Sequence, residues 1–160
     1  MASLRMLALA FLGATLFAQS QPAHANCTTE AAASALLDKY VAAVNARDTG
    51  SFGDIHAENY IQHSGRSANG LAAQVENFRT IFARMPDVEA RVEDRIIQCD
   101  KIVARMTFSA THTQPMQGIA PTGRRFTLRT IDIWRVENGK LAEHWDVVDY
   151  AGLQKQLRGE

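Results

Sequence analysis

The chain has 160 residues, a length typical of one domain, and 46% of them are hydrophobic, as in ordinary soluble globular proteins. Its 17 basic and 17 acidic residues give a formal net charge of zero. Proteins that bind nucleic acids or anionic membrane surfaces usually carry a basic excess, so neither kind of partner is expected.

The first 25 residues have the parts of a secretory signal peptide. Arg5 supplies a positive charge, an apolar run follows, and Ala23-His24-Ala25 provides an A-x-A cleavage site. The apolar run is too short to remain as a membrane-spanning helix. We therefore expect a signal peptide over residues 1–25 and one mature domain over residues 26–160, exported to the periplasm or secreted, with no membrane attachment after cleavage.

Cys27 and Cys99 are the two cysteines of the chain. In an oxidising compartment such a pair can form a disulfide, which would contribute about 4 kcal/mol for a loop of this length. Spacing alone leaves both the disulfide and two separate thiols open. A lipid anchor on Cys27 is disfavoured, because Asn26 is not the small residue expected before the cut.

Helical periodicity dominates the N-terminal half of the mature chain, where apolar residues recur at spacings of three and four. The predicted elements there are a helix over residues 28–46, a short helical piece around residues 52–55, an extended segment over residues 59–63 and a helix over residues 70–85.

After Pro86 the apolar period changes to two, which indicates β-strands. The predicted elements are a strand from residue 88 that turns at residues 98–101, a strand over residues 101–113, a loop over residues 114–124, a hairpin of strands 126–136 and 141–149, and a helical turn or two after residue 150. Helices followed by antiparallel strands are typical of an α+β fold. Helices over one face of a curved sheet leave a cavity, the default place for a small-molecule ligand.

The hairpin raises the question of which way its acidic residues point. If Asn138 and Gly139 form a two-residue turn, Asp132 and Asp146 lie on opposite faces; if Gly139 is a left-handed bulge in a three-residue loop, they share one face. A shared face would be mostly apolar and would cluster both aspartates with His144, as acid/base catalysis near neutral pH requires. The alternative is an ordinary solvated face.

The other histidines have ordinary interpretations when spacing alone is considered. His112 continues the inward phase of its strand, where a hydrogen-bonded structural histidine is common, whereas His56 and His63 would be surface residues. No His or Cys pair has metal-ligand spacing, and G-x-S-x-G, Walker and Rossmann patterns are absent from the sequence. We therefore expect neither a metal nor a cofactor.

Several segments follow one another in a characteristic order. They are residues 60–63 (YIQH), the helix over residues 70–85, residues 110–113 (ATHT), residues 118–124 (GIAPTGR), and the hairpin from residue 131 that leads to residues 143–146 (EHWD). Together, over about residues 40–157, they resemble the SnoaL-like polyketide (ester) cyclases of the nuclear transport factor 2-like superfamily.

The resemblance implies a cone-shaped, strongly curved antiparallel sheet wrapped by N-terminal helices around a pocket. It also implies an intramolecular aldol closure in which an aspartate acts as acid and base without metal or cofactor. By position that residue is Asp146, and Asp132 and His144 would tune it. The remaining pocket-lining positions implied are His63, His112 and Trp134.

The expected export distinguishes this chain from the cyclases of antibiotic pathways, which act on intracellular intermediates. Related epoxide hydrolases use two aspartates and an arginine; Asp132 and Asp146 would fit, but no arginine clearly shares their face. We expect a cofactor-independent acid/base enzyme of cyclase, isomerase or hydrolase type acting on a small, largely apolar molecule, or alternatively a non-catalytic binding protein for such a molecule. A sheet face with Ile131, Ile133 and Trp145 is the candidate surface for a homodimer.

Overall fold

The computed structural model describes residues 27–160, so the predicted signal peptide lies outside the described residues. The elements in chain order are α1 (Glu30–Ala46), α2 (Phe52–Ile55), β1 (His56–Gln62), α3 (Leu71–Arg84), β2 (Glu89–Gln98), β3 (Lys101–Thr111), β4 (Arg125–Glu137), β5 (Lys140–Val148) and α4 (Tyr150–Arg158). The predicted helices and strands are all present. Within residues 27–160, no helix combines the length and the apolar content that crossing a bilayer demands.

Local sequence explains both ends of α1. The Thr29 hydroxyl accepts a hydrogen bond from the Ala32 amide at 3.2 Å, which caps the first turn. Arg47 ends the helix with a left-handed φ of 56°, and its amide donates back to the last turn. The apolar face of the helix is buried; its members are Ala33, Leu36, Leu37, Tyr40, Ala43 and Val44.

The five strands form one sheet in the order β1-β5-β4-β3-β2. The sheet is strongly curved and does not close. Neighbouring strands are antiparallel except that β1 runs parallel to β5. The sheet is therefore mixed, with one parallel pair beside three antiparallel pairs of the predicted kind. The chain between β1 and β5 passes through α3 and three strands, and such a long connection can bring two strands together in the same direction, whereas a hairpin cannot.

The β4–β5 hairpin has a two-residue turn. Asn138 and Gly139 have positive φ angles of 51° and 74°, as a type I′ turn requires, and Glu137 pairs with Lys140. Of the two predicted alternatives, the bulge at Gly139 is therefore absent.

A bulge farther along β5 nevertheless brings the two aspartates to one face. The register shifts between Arg135 and Val136 and leaves Ala142 as an additional residue on β5. Beyond this shift Asp132 lies directly opposite Asp146. The shared face thus arises from a bulge that neither alternative included.

The core consists of two apolar clusters at opposite ends of the sheet. The larger cluster packs α1, α2 and α3 against the sheet around Tyr40, Phe78 and Trp134. The smaller one joins Phe126 of β4 to α4 through Leu153. The C-terminal helix therefore covers part of the sheet that the sequence assigned to N-terminal helices alone.

Cys27 is joined by a disulfide to Cys99, in the turn between β2 and β3. The bond fastens the segment before α1 to the sheet. It closes a long loop, since the two residues are 72 positions apart in sequence.

Candidate active site

A cavity of about 290 Å³ lies between the sheet and helices α1 and α3. Strands β1, β3, β4 and β5 and the loop between β1 and α3 also contribute to its wall. The cavity contains the three residues that the sequence placed at a catalytic site: Asp132, His144 and Asp146. Trp134, predicted to line the pocket, does so as well.

Asp132 and His144 form a buried pair on adjacent strands. Nε2 of His144 lies 2.9 Å from Oδ1 of Asp132, and the two residues are only 8% and 4% exposed. The Thr130 hydroxyl donates to the other oxygen of Asp132, and Trp134 stacks on the imidazole with ring centroids 5.0 Å apart. These contacts hold the imidazole in one orientation.

The Gln62 side chain completes a chain of three groups. Nδ1 of His144 lies 3.0 Å from Nε2 of Gln62 and 3.1 Å from its Oε1. When the imidazole is neutral and donates to Asp132 from Nε2, Nδ1 accepts from the amide nitrogen; when it is protonated, Nδ1 donates to the amide oxygen. Gln62 can therefore serve Nδ1 of His144 either as a donor or as an acceptor.

Asp146 forms an ion pair with an arginine of the loop between β1 and α3. The Arg66 guanidinium forms an ion pair with Oδ2 of Asp146. The Asp146 side chain is 4% exposed and the Arg66 side chain 43%, so the pair lies between the cavity and solvent. Oδ1 of Asp146 is buried and makes no hydrogen bond. One oxygen of this carboxylate is thus free to accept a proton or a hydrogen bond from a ligand.

Arg66 is the arginine that the strand pattern did not reveal. It lies in the loop between β1 and α3, and it reaches Asp146 across 80 positions of sequence. Periodicity places residues on faces of strands and helices, and it assigns no direction to a loop side chain. Only the packing of this loop against β5 brings the cation to the carboxylate.

The three groups also have the composition of a metal site. Asp132, His144 and Asp146 each offer one ligand atom, and these atoms lie within 4.8 Å of one another. The search for metal-ligand spacing within one segment did not indicate a metal site, because these residues come from two strands. A cation bound here would compete with the Asp132–His144 hydrogen bond.

His63 lies outside the cavity, contrary to the prediction. Its Nε2 is 2.8 Å from Glu143, and its ring stacks on Trp145 with centroids 4.4 Å apart. Side chains alternate between the two faces of an extended segment. Because Gln62 points into the cavity, the next residue points to the outer face.

His112 does not line the cavity either. It is 1% exposed, and its Nδ1 lies 3.0 Å from the Thr122 hydroxyl and accepts from the Thr122 amide at 3.3 Å. Its backbone pairs with Gly123 and Arg124. The inward direction was predicted correctly, but His112 follows the end of β3 and anchors the loop that leads to β4.

His56 is buried among aromatic rings and is not a surface residue. Its Nδ1–H donates to the Phe52 carbonyl at 3.3 Å, and the rings of Phe52 and Tyr60 each lie 4.9 Å from its own. Burial lowers its pKa from the ordinary 6.5 to about 4. The imidazole is therefore neutral in the folded protein at neutral pH.

This burial makes stability depend on pH. The unfolded chain binds a proton at His56 more readily, so stability is fully present above pH 6.5 and falls as the pH drops towards 4. We expect a loss of about 3 kcal/mol from this group by pH 4. Urea unfolding at several pH values should show the fall, and His56→Asn, whose amide can replace the bond to Phe52, should flatten it. An equally steep fall in the variant would contradict the assignment.

Comparisons with known proteins agree with this architecture. The family described as SnoaL-like polyketide cyclase matches residues 34–157. Among solved structures, TsrD from Streptomyces laurentii superposes with a TM-score of 0.75 at 32% identity, over 81% of this chain and 97% of TsrD. A SnoaL-like polyketide cyclase from Agrobacterium tumefaciens gives 0.70 at 22% identity, over 76% of this chain and 94% of that one, which shows the shared fold.

A curated relative is similar over a shorter stretch. The aklanonic acid methyl ester cyclase AcmA of Streptomyces galilaeus is 38% identical over 71 residues, which are 43% of this chain and 49% of AcmA. The matched stretch thus spans about half the length of that relative. The family match covers most of the chain, and TsrD is matched over nearly its whole length. The chain belongs to the family of SnoaL-like polyketide cyclases.

Proposed function

We propose that this chain is a cofactor-independent cyclase that closes a ring within a small, largely apolar carbonyl compound. The observation that carries the proposal is Asp146: a buried carboxylate in a mostly apolar cavity, with one oxygen paired to Arg66 and the other unpaired. Family membership and the cyclase activity named for AcmA support the reaction class.

The proposed chemistry is an intramolecular aldol closure. Oδ1 of Asp146 takes a proton from a carbon next to a carbonyl group, and the resulting carbanion attacks a second carbonyl carbon of the same molecule. A carbon–carbon bond forms, the attacked C=O becomes C–O⁻, and Asp146 returns its proton to this oxygen, which gives a hydroxyl group and restores the carboxylate. The mass is unchanged and nothing is oxidised or reduced. Arg66 lies close enough to Asp146 to stabilise negative charge that develops on the substrate oxygen.

The first step can be tested apart from ring closure. In D₂O, the protein should accelerate deuterium exchange at the carbon next to the carbonyl of an aryl β-keto ester, with aklanonic acid methyl ester as the first probe. General-base catalysis predicts an acceleration of roughly 10²-fold to 10⁴-fold over buffer. The NMR signal of the exchanging proton measures the rate. Binding with neither exchange nor ring closure would instead identify a non-catalytic binding protein.

Arg66 favours a second candidate, hydrolysis of an epoxide. Two aspartates and an arginine now meet in one cavity, which is the set that related epoxide hydrolases use to activate water. Mass spectrometry distinguishes the candidates, because hydrolysis adds one water to the substrate whereas cyclisation leaves the mass unchanged.

We also propose that residues 1–25 direct export and that two copies associate. The signal pattern and the disulfide support export, and an N-terminus at Asn26 in the secreted or periplasmic fraction would verify it. Ile131 and Val147, which pair across the outer face and are 43% and 73% exposed, support association. A monomer by light scattering would refute the dimer.

A further inference from the structure

Three side chains of the cavity present atoms that can bind a metal ion. They belong to Asp132 on β4 and to His144 and Asp146 on β5, and the atoms lie within 4.8 Å of one another. Nε2 of His144 is 2.9 Å from Oδ1 of Asp132. Ligands of a tetrahedral zinc ion lie about 3.3 Å apart, since zinc bonds to nitrogen and oxygen measure about 2.0–2.2 Å. These two ligands are therefore almost correctly spaced for one ion.

One oxygen of the third residue has no partner within the described residues 27–160. Oδ2 of Asp146 is paired with Arg66, whereas Oδ1 is buried and makes no hydrogen bond. The Asp146 side chain is 4% exposed, and it lines the same cavity as Asp132 and His144. An unpaired carboxylate oxygen in such a place is costly, because burial removes its water without replacing it. A bound cation would supply the missing partner.

Neighbouring side chains hold the other two ligands in the orientation that a metal site requires. A histidine that binds a metal through one ring nitrogen usually donates the N–H of the other nitrogen to an oxygen atom. Oε1 of Gln62 lies 3.1 Å from Nδ1 of His144 and can accept that hydrogen bond. The Thr130 hydroxyl donates to Oδ2 of Asp132, which leaves Oδ1 for an ion. The cavity thus contains both the ligands and the groups that orient them.

The charges and donor atoms of the three side chains favour zinc. Two carboxylates outnumber the guanidinium of Arg66 that pairs with one of them, so the site attracts a cation. One imidazole nitrogen with two carboxylate oxygens suits a zinc ion, with water as a fourth ligand. Magnesium and calcium instead prefer six or more oxygen ligands.

A zinc ion in this position would occupy the groups that the proposed reaction uses. It would take the place of the proton between Nε2 of His144 and Asp132, and that proton would pass to solvent. It would also bind Oδ1 of Asp146, the oxygen that accepts a proton from the substrate in the proposed reaction. The carboxylate could then no longer act as a base.

We propose that Asp132, His144 and Asp146 form a binding site for one zinc ion, and that the bound ion inhibits the protein by occupying Oδ1 of Asp146. Zinc is in this case an inhibitor and not a cofactor. The inhibition rests on the proposed function, whereas the binding of the ion does not.

Calorimetric titration with zinc chloride tests the binding. The protein is used with its disulfide intact and without a histidine tag. One zinc ion should bind per chain, and magnesium chloride over the same concentrations should give no binding signal. Zinc that does not bind at submillimolar concentrations, or magnesium that binds equally well, would overturn the inference.

Three variants assign the ion to these side chains. His144→Gln and Asp146→Asn each remove a ligand and should weaken zinc binding more than any change around the ligands does. Gln62→Leu removes only the group that orients His144 and should weaken binding by roughly 10-fold to 100-fold. Urea unfolding identifies the variants that are folded. Native affinity in folded Asp146→Asn would contradict the site.

A histidine on the outer face provides the matched control. His63 lies beside Glu143, and such a pair could also attract zinc. His63→Gln removes this pair without touching the cavity, so it should bind zinc with native affinity. Binding that is lost in His63→Gln and retained in His144→Gln would place the ion on the outer face and overturn the inference.

The exchange assay in D₂O measures the inhibition. Saturating zinc should lower the exchange rate to that of buffer with the same zinc concentration, and EDTA should restore it. Undiminished exchange with zinc bound would overturn the inhibition. Binding through the three residues in a protein that exchanges no protons would refute the proposed cyclase activity and retain the metal site. Proton exchange in a protein that binds no zinc would do the opposite.

Discussion

Asp146→Asn is expected to lower the rates of deuterium exchange and ring closure by about 10³-fold, within the range that general acid/base groups contribute. Asparagine has nearly the same shape, and its amide oxygen can still accept from Arg66, so the cavity should persist. It cannot take up a proton at neutral pH. The exchange assay in D₂O measures the loss directly, and ligand binding should survive.

A matched aspartate on the outer face controls for the substitution itself. Asp94 is exposed and paired with Arg105, and Asp94→Asn should leave both rates unchanged. Urea unfolding of the two variants checks that each is folded. Full exchange activity in folded Asp146→Asn would remove Asp146 from the mechanism and leave the Asp132–His144 pair as the candidate base.

Removing the disulfide is expected to lower the free energy of unfolding by about 4 kcal/mol. Cys27 and Cys99 are 72 residues apart, so their bond restricts a large part of the unfolded chain. In the double variant Cys27→Ser, Cys99→Ser that restriction is lost, while the buried core is unaffected. Urea unfolding of the native protein and of the double variant, both without reductant, measures the difference.

Reductant supplies the control for this experiment. It should destabilise the native protein by the same amount and leave the double variant unchanged. Native protein that unfolds identically with and without reductant would show that the bond contributes nothing. A loss of the expected size would mean that full stability requires an oxidising compartment, which agrees with the proposed export.

Hydrophobic periodicity predicted the elements well because helix and strand faces are local properties of a sequence. The turn at residues 98–101, the helix ending before Pro86 and the hairpin around Asn138-Gly139 all lie where spacing and turn residues indicated. The parallel pairing of β1 with β5 did not follow from these signals, since it joins residues about 80 positions apart. No short-range pattern specifies such a contact.

The site residues likewise include some that local sequence patterns indicated and some that they did not. One of the two alternatives from strand alternation, together with the family resemblance, placed Asp132, His144, Asp146 and Trp134 on one face, and all four line the cavity. His63 was predicted to line the pocket, but it lies on the outer face beside Glu143. The alternation of side chains along β1 indicates this face, since His63 follows Gln62, which points into the cavity. Gln74 lines the cavity from α3, and its signal in the sequence is a glutamine within the apolar stripe of that helix.

The sequence by itself determined the α+β class, the order of the elements and the residues available for acid/base chemistry. Tertiary structure alone decided that a bulge at Ala142 aligns Asp132 with Asp146 and that Arg66 reaches the same carboxylate from a loop. The physical reason is that a single additional residue reverses the face of every side chain beyond it, and its position depends on packing against the neighbouring strand. A loop cation likewise acquires a partner only when the chain folds back on itself.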